Sequence, residues 1–452
     1  MQLIKSQFEF INHASVLVSS EKVGLLSDPW YQGDAFHKGW SLLHELKDDE
    51  IEDVLNRTTH IWISHEHPDH FSVLFFIKFE EMIKQRGIEI LFQETKDKRV
   101  EGFLRSKGFN LRILKANKWI EIDNGFSILN FKDGFYDSGL CIDISGEKFL
   151  NLNDCEVKTH KRCREVFDLV GECDVLISQF SYAAWKGGKD NIAWRKNAAK
   201  EKLNTLSLQV KYFKPKFLIP FASYIYFSNN SNFYLNDAAN SPADVINHFK
   251  DKEDINVIAM KPFQVFSEHV DPSHSNEEAL QFWDQAIKDS NESKKNTFDN
   301  IDFEELNKSF SAYQERIFAN NSKITIWLVR ILSPISAFKP INILLDDHNK
   351  IISFDLFKDG LTVCDSDPDI SMSSESLDFI MKNTFGFDTL TVNGCFEETK
   401  AGGFSRMTKT MAIENLNNIG ISVRPSILLR LDIILLFIGR LFAVNKKVNN
   451  AS

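Results

Sequence analysis

One run of thirteen residues, HIWISHEHPDHFS from His60 to Ser72, does most to limit what this chain can fold into. Its first half is apolar enough for a buried strand. Its second half places His65, His67, Asp69 and His70 within six residues. In an extended segment, residues two apart project to the same side, so His65 and His67 can reach one cation. Pro68 then turns the chain, which lets Asp69 and His70 serve a second cation beside the first. Imidazole nitrogen and carboxylate oxygen suit zinc or iron. The run follows an apolar strand and precedes a segment of helical period, so it stands at a strand's carboxyl end, where α/β proteins build sites. A solvated polar cluster is the plainer alternative, but four ligand-type side chains directly after a buried strand argue against it.

The surrounding pattern agrees with a layered α/β protein. FEFINHASVLVSS, EKVGLLSDPW and RTTHIWIS read as strands, and FSVLFFIKFEEMIKQRG as a helix stopping at Gly87. Further strands follow in IEILFQ, FNLRILKAN, KWIEIDNGFSILNF, SGLCIDISGEKFLNLND, CDVLISQFS and PKFLIPFAS, with one long helix before the last. Residues 268–321 are charged and rich in Asn and Ser, and are expected to form a helical linker after a metal-binding domain at 1–267. A small α+β domain is expected over 322–424, with a short helix in SSESLDFIMKNTFG ending at Gly386. An apolar helix and tail fill 425–452. Arg430, Asp432 and Arg440 interrupt that apolar run, which is therefore too short to span a bilayer. Lying at a membrane surface and packing on protein fit it equally.

The net charge of -10 disfavours general nucleic-acid binding, so no nucleic-acid partner is expected. The six cysteines form no Cys-x-x-Cys pair, and MQLIKSQFEF lacks a secretory pattern. A cytoplasmic location with free thiols is expected, peripheral to the membrane if the C-terminal helix reaches it. Trp30 and Tyr31 are candidates to line a substrate pocket, although aromatic residues more often pack cores.

An His-x-His-x-Asp-His run after an apolar strand resembles the signature of the metallo-β-lactamase fold superfamily. NHASVLVSSEKVGLLSDPW resembles its opening strands, and FLNLNDC the later strand ending in a bridging Asp, here Asp154. DPWYQGDAFHKGWSLLHE, LNLNDC and PFASYIYFS are similar to the metallo-β-lactamase-like domain of the CMP-N-acetylneuraminate hydroxylases and their bacterial relatives. The resemblance covers roughly residues 8 to 265 and implies a four-layer αββα fold. It implies His13 and Asp28 beside the metal as supporting groups. It also implies a third histidine between His70 and Asp154, where this chain has none, and Asp137 is the substitute candidate. A late histidine is replaced by Asn229 and Asn230, and Asn229 is kept as a substrate-binding candidate.

The implied cofactor is a divalent metal, one or two ions per chain. Zinc or iron is expected, and oxygen-rich ligation brings in manganese. The leading expectation is a metal-dependent hydrolase acting on a phosphodiester, lactone or amide of a small-molecule, lipid or sugar-nucleotide substrate. In it, Asp69 orients a metal-activated water. The alternatives are an iron-dependent oxygenase and a metal-stabilised binding protein without catalysis. The resembling hydroxylases carry a Rieske domain, which needs a Cys-x-His and a Cys-x-x-His pair. This sequence contains neither, so an oxygenase would draw on a separate electron donor.

Overall fold

The computed structural model describes residues 6–252, 254–266, 272–333 and 335–426. The chain forms two compact units, Met1–Asn296 and Thr297–Ser452.

In the first unit, two seven-stranded sheets face each other. One is ordered Gln264–Phe266, Gln7–Asn12, Ser15–Ser19, Gly24–Ser27, His60–Ile63, Glu89–Gln93, Asn110–Leu114. The other runs Asn256–Val257, Phe217–Phe221, Val175–Gln179, Glu147–Asn153, Asp137–Ile144, Phe126–Asp133, Lys118–Asp123. Each is antiparallel along part of its order and parallel along the rest. The period-two alternation of strands decides what each face packs on. Within His60–Ile63, Trp62 enters the core between the sheets, while Ile61 and Ile63 join Leu26, Ile90, Phe76 and Leu104 beneath the outer helices. Trp62 also donates its Nε1–H to Asn130 Oδ1 on the opposite sheet at 3.0 Å. Outside the second sheet, helices His160–Val170 and Ile192–Phe213 add Cys163, Val166, Leu206 and Phe213 to the sandwich core. The layers are thus helix, sheet, sheet, helix, the αββα metallo-β-lactamase arrangement.

Local signals set the element ends. Ser72 accepts from Phe75 N and caps Val73–Lys78. The single helix expected through Gly87 is two, Val73–Lys78 and Glu80–Gln85, broken at Phe79. Phe79 is buried among Phe75 and neighbouring apolar groups, so tertiary packing overrides the helical period there.

The charged stretch 268–321 is not a linker. Helix Pro272–Glu292 belongs to the first unit, and helix Phe303–Asn320 to the second. Average composition hides an apolar stripe at Ala279, Trp283 and Ala286. Trp283 is fully buried, stacks on Tyr224 at 4.1 Å and donates to Met260 O at 2.8 Å.

The second unit is α+β. A five-stranded sheet ordered Thr362–Val363, Lys350–Phe354, Ile341–Leu345, Ile370–Met372, Glu397–Glu398 carries helices including Phe303–Asn320, Ser374–Lys382 and Gly403–Asn418. Leu306, Phe310, Ile343, Phe354, Leu377 and Met411 are buried in it. Gly386 does not end the expected helix, which stops at Lys382; it begins the next, Gly386–Asn393. A Cβ at Gly386 would lie 2.5 Å from Ile380 Cα, so only glycine permits that approach.

Of the expected apolar C-terminal helix and tail at 425–452, residues from 427 onward lie outside the described residues, and with them the expected membrane contact. Among the described residues, no helix is long and apolar enough to cross a membrane.

Candidate metal centre

The site forms where strand ends of the two sheets meet. His13, Asp28, Asn153 and Ala222 close or follow strands of this rim, and all four have positive φ (32°, 36°, 37° and 48°). A left-handed non-glycine residue costs about 1–3 kcal/mol unless its surroundings over-determine it. Here they do: Ala222 N donates to His13 O at 2.9 Å, tying one sheet to the other. Asp28 N donates to Trp62 O at 2.9 Å.

The loop after His60–Ile63 delivers the imidazoles. Its first residue, Ser64, is the hub. Ser64 O accepts from Gln93 Nε2 at 2.8 Å and from Ser138 Oγ at 2.6 Å. Ser64 N and Oγ both donate to the Asp28 carboxylate at 2.7 Å. The hydroxyl also lies 2.9 Å from His65 Nδ1, and Asp28 Oδ2 lies 2.9 Å from His70 Nδ1. Each imidazole is therefore held at Nδ1, which leaves Nε2 for the centre. Asp28 is placed against Ser64 and His70 by these bonds. Ser64 was missed: a serine before the run is unremarkable until the fold sets it on Asp28.

The free faces converge. His65 Nε2 lies 2.8 Å from His67 Nδ1, 3.8 Å from Asp137 Oδ1 and 3.7 Å from Asp154 Oδ2. His70 Nε2 lies 3.7 Å from Asp154 Oδ2 and 3.3 Å from Asp69 Oδ2, and Asp69 Oδ2 lies 3.4 Å from His13 Nε2. Three overlapping groups each bring ligand atoms within 4.8 Å of one another: His65, His67 and Asp137; His65, His70 and Asp154; His13, Asp69 and His70. Asp137, the substitute candidate, groups with His65 and His67. His13, expected as a supporting group, instead stands among the converging side chains.

The donor set fits divalent cations. His70 Nε2, Asp69 Oδ1 and Asp154 Oδ1 are buried and make no aligned hydrogen bond within the protein. Such atoms cost free energy unless something compensates them. The protonation pattern follows from crowding. Burial opposes charge on His70, yet Asp69, Asp154 and Asp28 hold its pKa well above the ordinary value. Burial likewise opposes Asp69, but the His70 charge and the His13 contact hold it well below the carboxylate range. Burial drives His65 well down. Burial and then the Asp154 charge push Asp137 up to about 8. Lys202, on helix Ile192–Phe213, reaches the same rim and donates to Gln179 Oε1. Burial lowers it to about 8 against the pull of Asp154.

Tyr31 lies outside the three converging groups. It is 1% exposed, packs edge-on to Phe75 and hydrogen-bonds Ser15 Oγ at 2.6 Å. Its alternation partner, Trp30, does point toward the centre, with its ring 5.5 Å from that of His13, but it too is buried and donates to Gly33 O. Asn229 is a turn-forming residue. Its side chain accepts from Ser231 N and Oγ and donates to Lys38 O, and none of the three converging groups includes it.

No protein-family model matches the chain. Among curated proteins it is similar to the cytidine monophosphate-N-acetylneuraminic acid hydroxylase of Danio rerio, 28% identical over 271 residues, 56% of this chain and 44% of the relative. The Xenopus laevis hydroxylase is 29% identical over 255 residues, covering 52% and 42%. An inactive human homologue is 26% identical over 267 residues, covering 55% and 51%. The chain thus spans about half the length of the curated relatives it matches. Among solved structures it is similar to CmlA, a diiron β-hydroxylase from Streptomyces venezuelae, with a TM-score of 0.42 and 12% identity over 58% of this chain and 54% of that one. Igni18, a metallo hydrolase from Ignicoccus hospitalis, gives 0.40 and 14%, covering 58% and 98%. The chain's sequence is similar to part of the cytidine monophosphate-N-acetylneuraminic acid hydroxylases.

Proposed function

We propose that the first unit is a metal-dependent hydrolase with places for two divalent cations. One observation carries this reading: four imidazoles and three carboxylates converge, with buried acceptor atoms left unpaired by the protein. In this reading His65, His67 and Asp137 hold one cation and His13, Asp69 and His70 the other. Asp154, beside both His65 and His70, lies between them. Cations held there supply Lewis acidity toward a scissile phosphoryl or carbonyl oxygen and lower the pKa of a water molecule. The chain's own part is orientation. Asp28 accepts the Nδ1 proton of His70 and so keeps Nε2 as a lone-pair donor, and Ser64 does the same for His65. Asp69, held ionised by its neighbours, can accept a proton from a water beside it. A phosphodiester, lactone or amide is the substrate class.

A second reading, an iron-dependent hydroxylase, is favoured by the names of the sequence relatives and by the carboxylate Asp137 standing in for an imidazole.

Metal analysis with a model phosphodiester separates the two. The hydrolase reading expects one or two zinc or manganese ions per chain and turnover of bis(p-nitrophenyl) phosphate equally under argon and air. Bound iron with an oxygen-dependent spectral change and no anaerobic turnover overturns it in favour of hydroxylation. A chain that takes up no metal overturns both.

A further inference from the structure

Three consecutive residues of the first unit, Phe36, His37 and Lys38, have φ of 50°, 54° and 58°. They make one turn of left-handed helix, closed by Gly39 N donating to Ala35 O and to Phe36 O, both at 3.2 Å. None of the three is glycine. In this conformation Cβ crowds the following carbonyl oxygen, so L-residues adopt it singly and rarely in runs. Such a run persists only where its surroundings over-determine it, and strain of this kind gathers where side chains must be aimed.

The surroundings here are three asparagines lying 191 to 258 residues further along the chain. Asn232 Nδ2 donates to Gly39 O at 2.8 Å, and Ser228 N donates to the same carbonyl at 2.9 Å. Asn229 Nδ2 and Asn296 Nδ2 each donate to Lys38 O at 3.4 Å. Asn229 and Asn232 are buried and joined to each other, Asn229 N donating to Asn232 Oδ1 at 2.9 Å.

The turn aims Phe36. Its buried ring packs on Trp40 at 4.5 Å and meets His67 at 5.7 Å, with the planes at 64°, an edge-to-face arrangement. His65 and His70 are anchored at Nδ1 by Ser64 and Asp28. His67 is not: among the described residues its ring nitrogens bond only His65, at 2.8 Å, and no oxygen holds it. Packing on Phe36 takes the place of that oxygen.

We propose that the left-handed turn Phe36–Lys38, locked by Asn229, Asn232 and Asn296, is a positioning device that holds the His67 imidazole at the centre through Phe36. The use of that imidazole rests on the two-cation reading above; its placement does not.

Full-length protein with histidine labelled at Cε1 with carbon-13, the His67 resonance being assigned by His67→Gln, tests the placement without metal. Asn232→Asp keeps the acceptor for Asn229 N and removes the donor to Gly39 O. It is expected to move the His67 resonance toward its position in Phe36→Leu. The His60 and His248 resonances, from the first sheet and from helix Pro242–Phe249, stay in place and report that the fold is kept. If they move in Asn232→Asp, the half-buried Asn296→Asp replaces it. Lys38→Gly, free of the Cβ crowding, should keep the wild-type His67 resonance, while the β-branched Lys38→Val should shift it as Asn232→Asp does. Zinc competition against a chromophoric chelator should then show one site weakened about tenfold or more in each variant that moves His67. A His67 resonance that moves in Phe36→Leu but in neither asparagine variant nor Lys38→Val overturns the proposal. So does zinc affinity within twofold of the wild type in a variant that moves it. A wild type that takes up no zinc overturns the two-cation reading instead, and the metal-free resonances still decide whether the turn places His67.

Discussion

Asp28→Asn isolates the part of the centre that the fold builds without touching a cation. The carboxylate is buried and accepts three bonds: Ser64 N and Oγ at 2.7 Å and His70 Nδ1 at 2.9 Å. An asparagine keeps one acceptor oxygen and turns its amide toward a donor. Bonds to charged groups are worth about 1.5–3 kcal/mol each, so losing two removes roughly 3–6 kcal/mol gross. Burial already raises the Asp28 pKa, so removing the charge recovers part of that, leaving a net loss of about 2–4 kcal/mol. The second consequence is functional. With Nδ1 unanchored, His70 can rotate and change tautomer, and loss of such a partner typically costs about 10–100-fold in metal affinity. Urea unfolding in chelator measures the first quantity, and competition against a chromophoric chelator the second. Asp53→Asn, an exposed carboxylate, serves as control. If Asp28→Asn binds metal within twofold of the wild type, the claim that this network orients His70 is wrong, whatever happens to stability.

Two further outcomes follow from the same geometry. In the metal-free protein, His70 and Asp137 both have folded pKa values above their unfolded ones, Asp137 at about 8. Each folded group therefore keeps a proton that the unfolded chain releases; His13 and His65, whose folded pKa values are lowered, oppose this chiefly below about pH 6.5, so stability falls as pH rises from about 7 to 8. Urea midpoints in chelator should drop across that window, and Asp137→Asn should flatten the drop; a midpoint that rises refutes the protonation pattern. Trp283→Ala should cost about 3–5 kcal/mol in unfolding of the first unit, because a fully buried ring stacked on Tyr224 is lost. A cost under 1 kcal/mol would mean that helix Pro272–Glu292 is a linker after all.

Much of the fold was legible because strands buried on both faces are continuous apolar runs, and the chain has many of them between Phe8 and Phe221. The helix break at Phe79 was not, since the 3.6 period continues through it while neighbouring side chains decide the backbone. Nor was the packing of Trp283, because a stripe at every third or fourth residue is diluted by the charges between.

At the centre the division is sharper. His65, His67, Asp69 and His70 are a local matter, set by the two-residue period of an extended loop after a strand, and any fold would keep them together. Asp28, His13, Asp137 and Asp154 come from four separate places in the chain outside that run. Only the pairing of strands brings His13 across to Asp69, 56 residues away, and Asp28 to His70, 42 residues away. Short-range covalent geometry can place neighbours in a run. Which distant side chains complete it depends on which strand ends the hydrophobic core forces to the same rim.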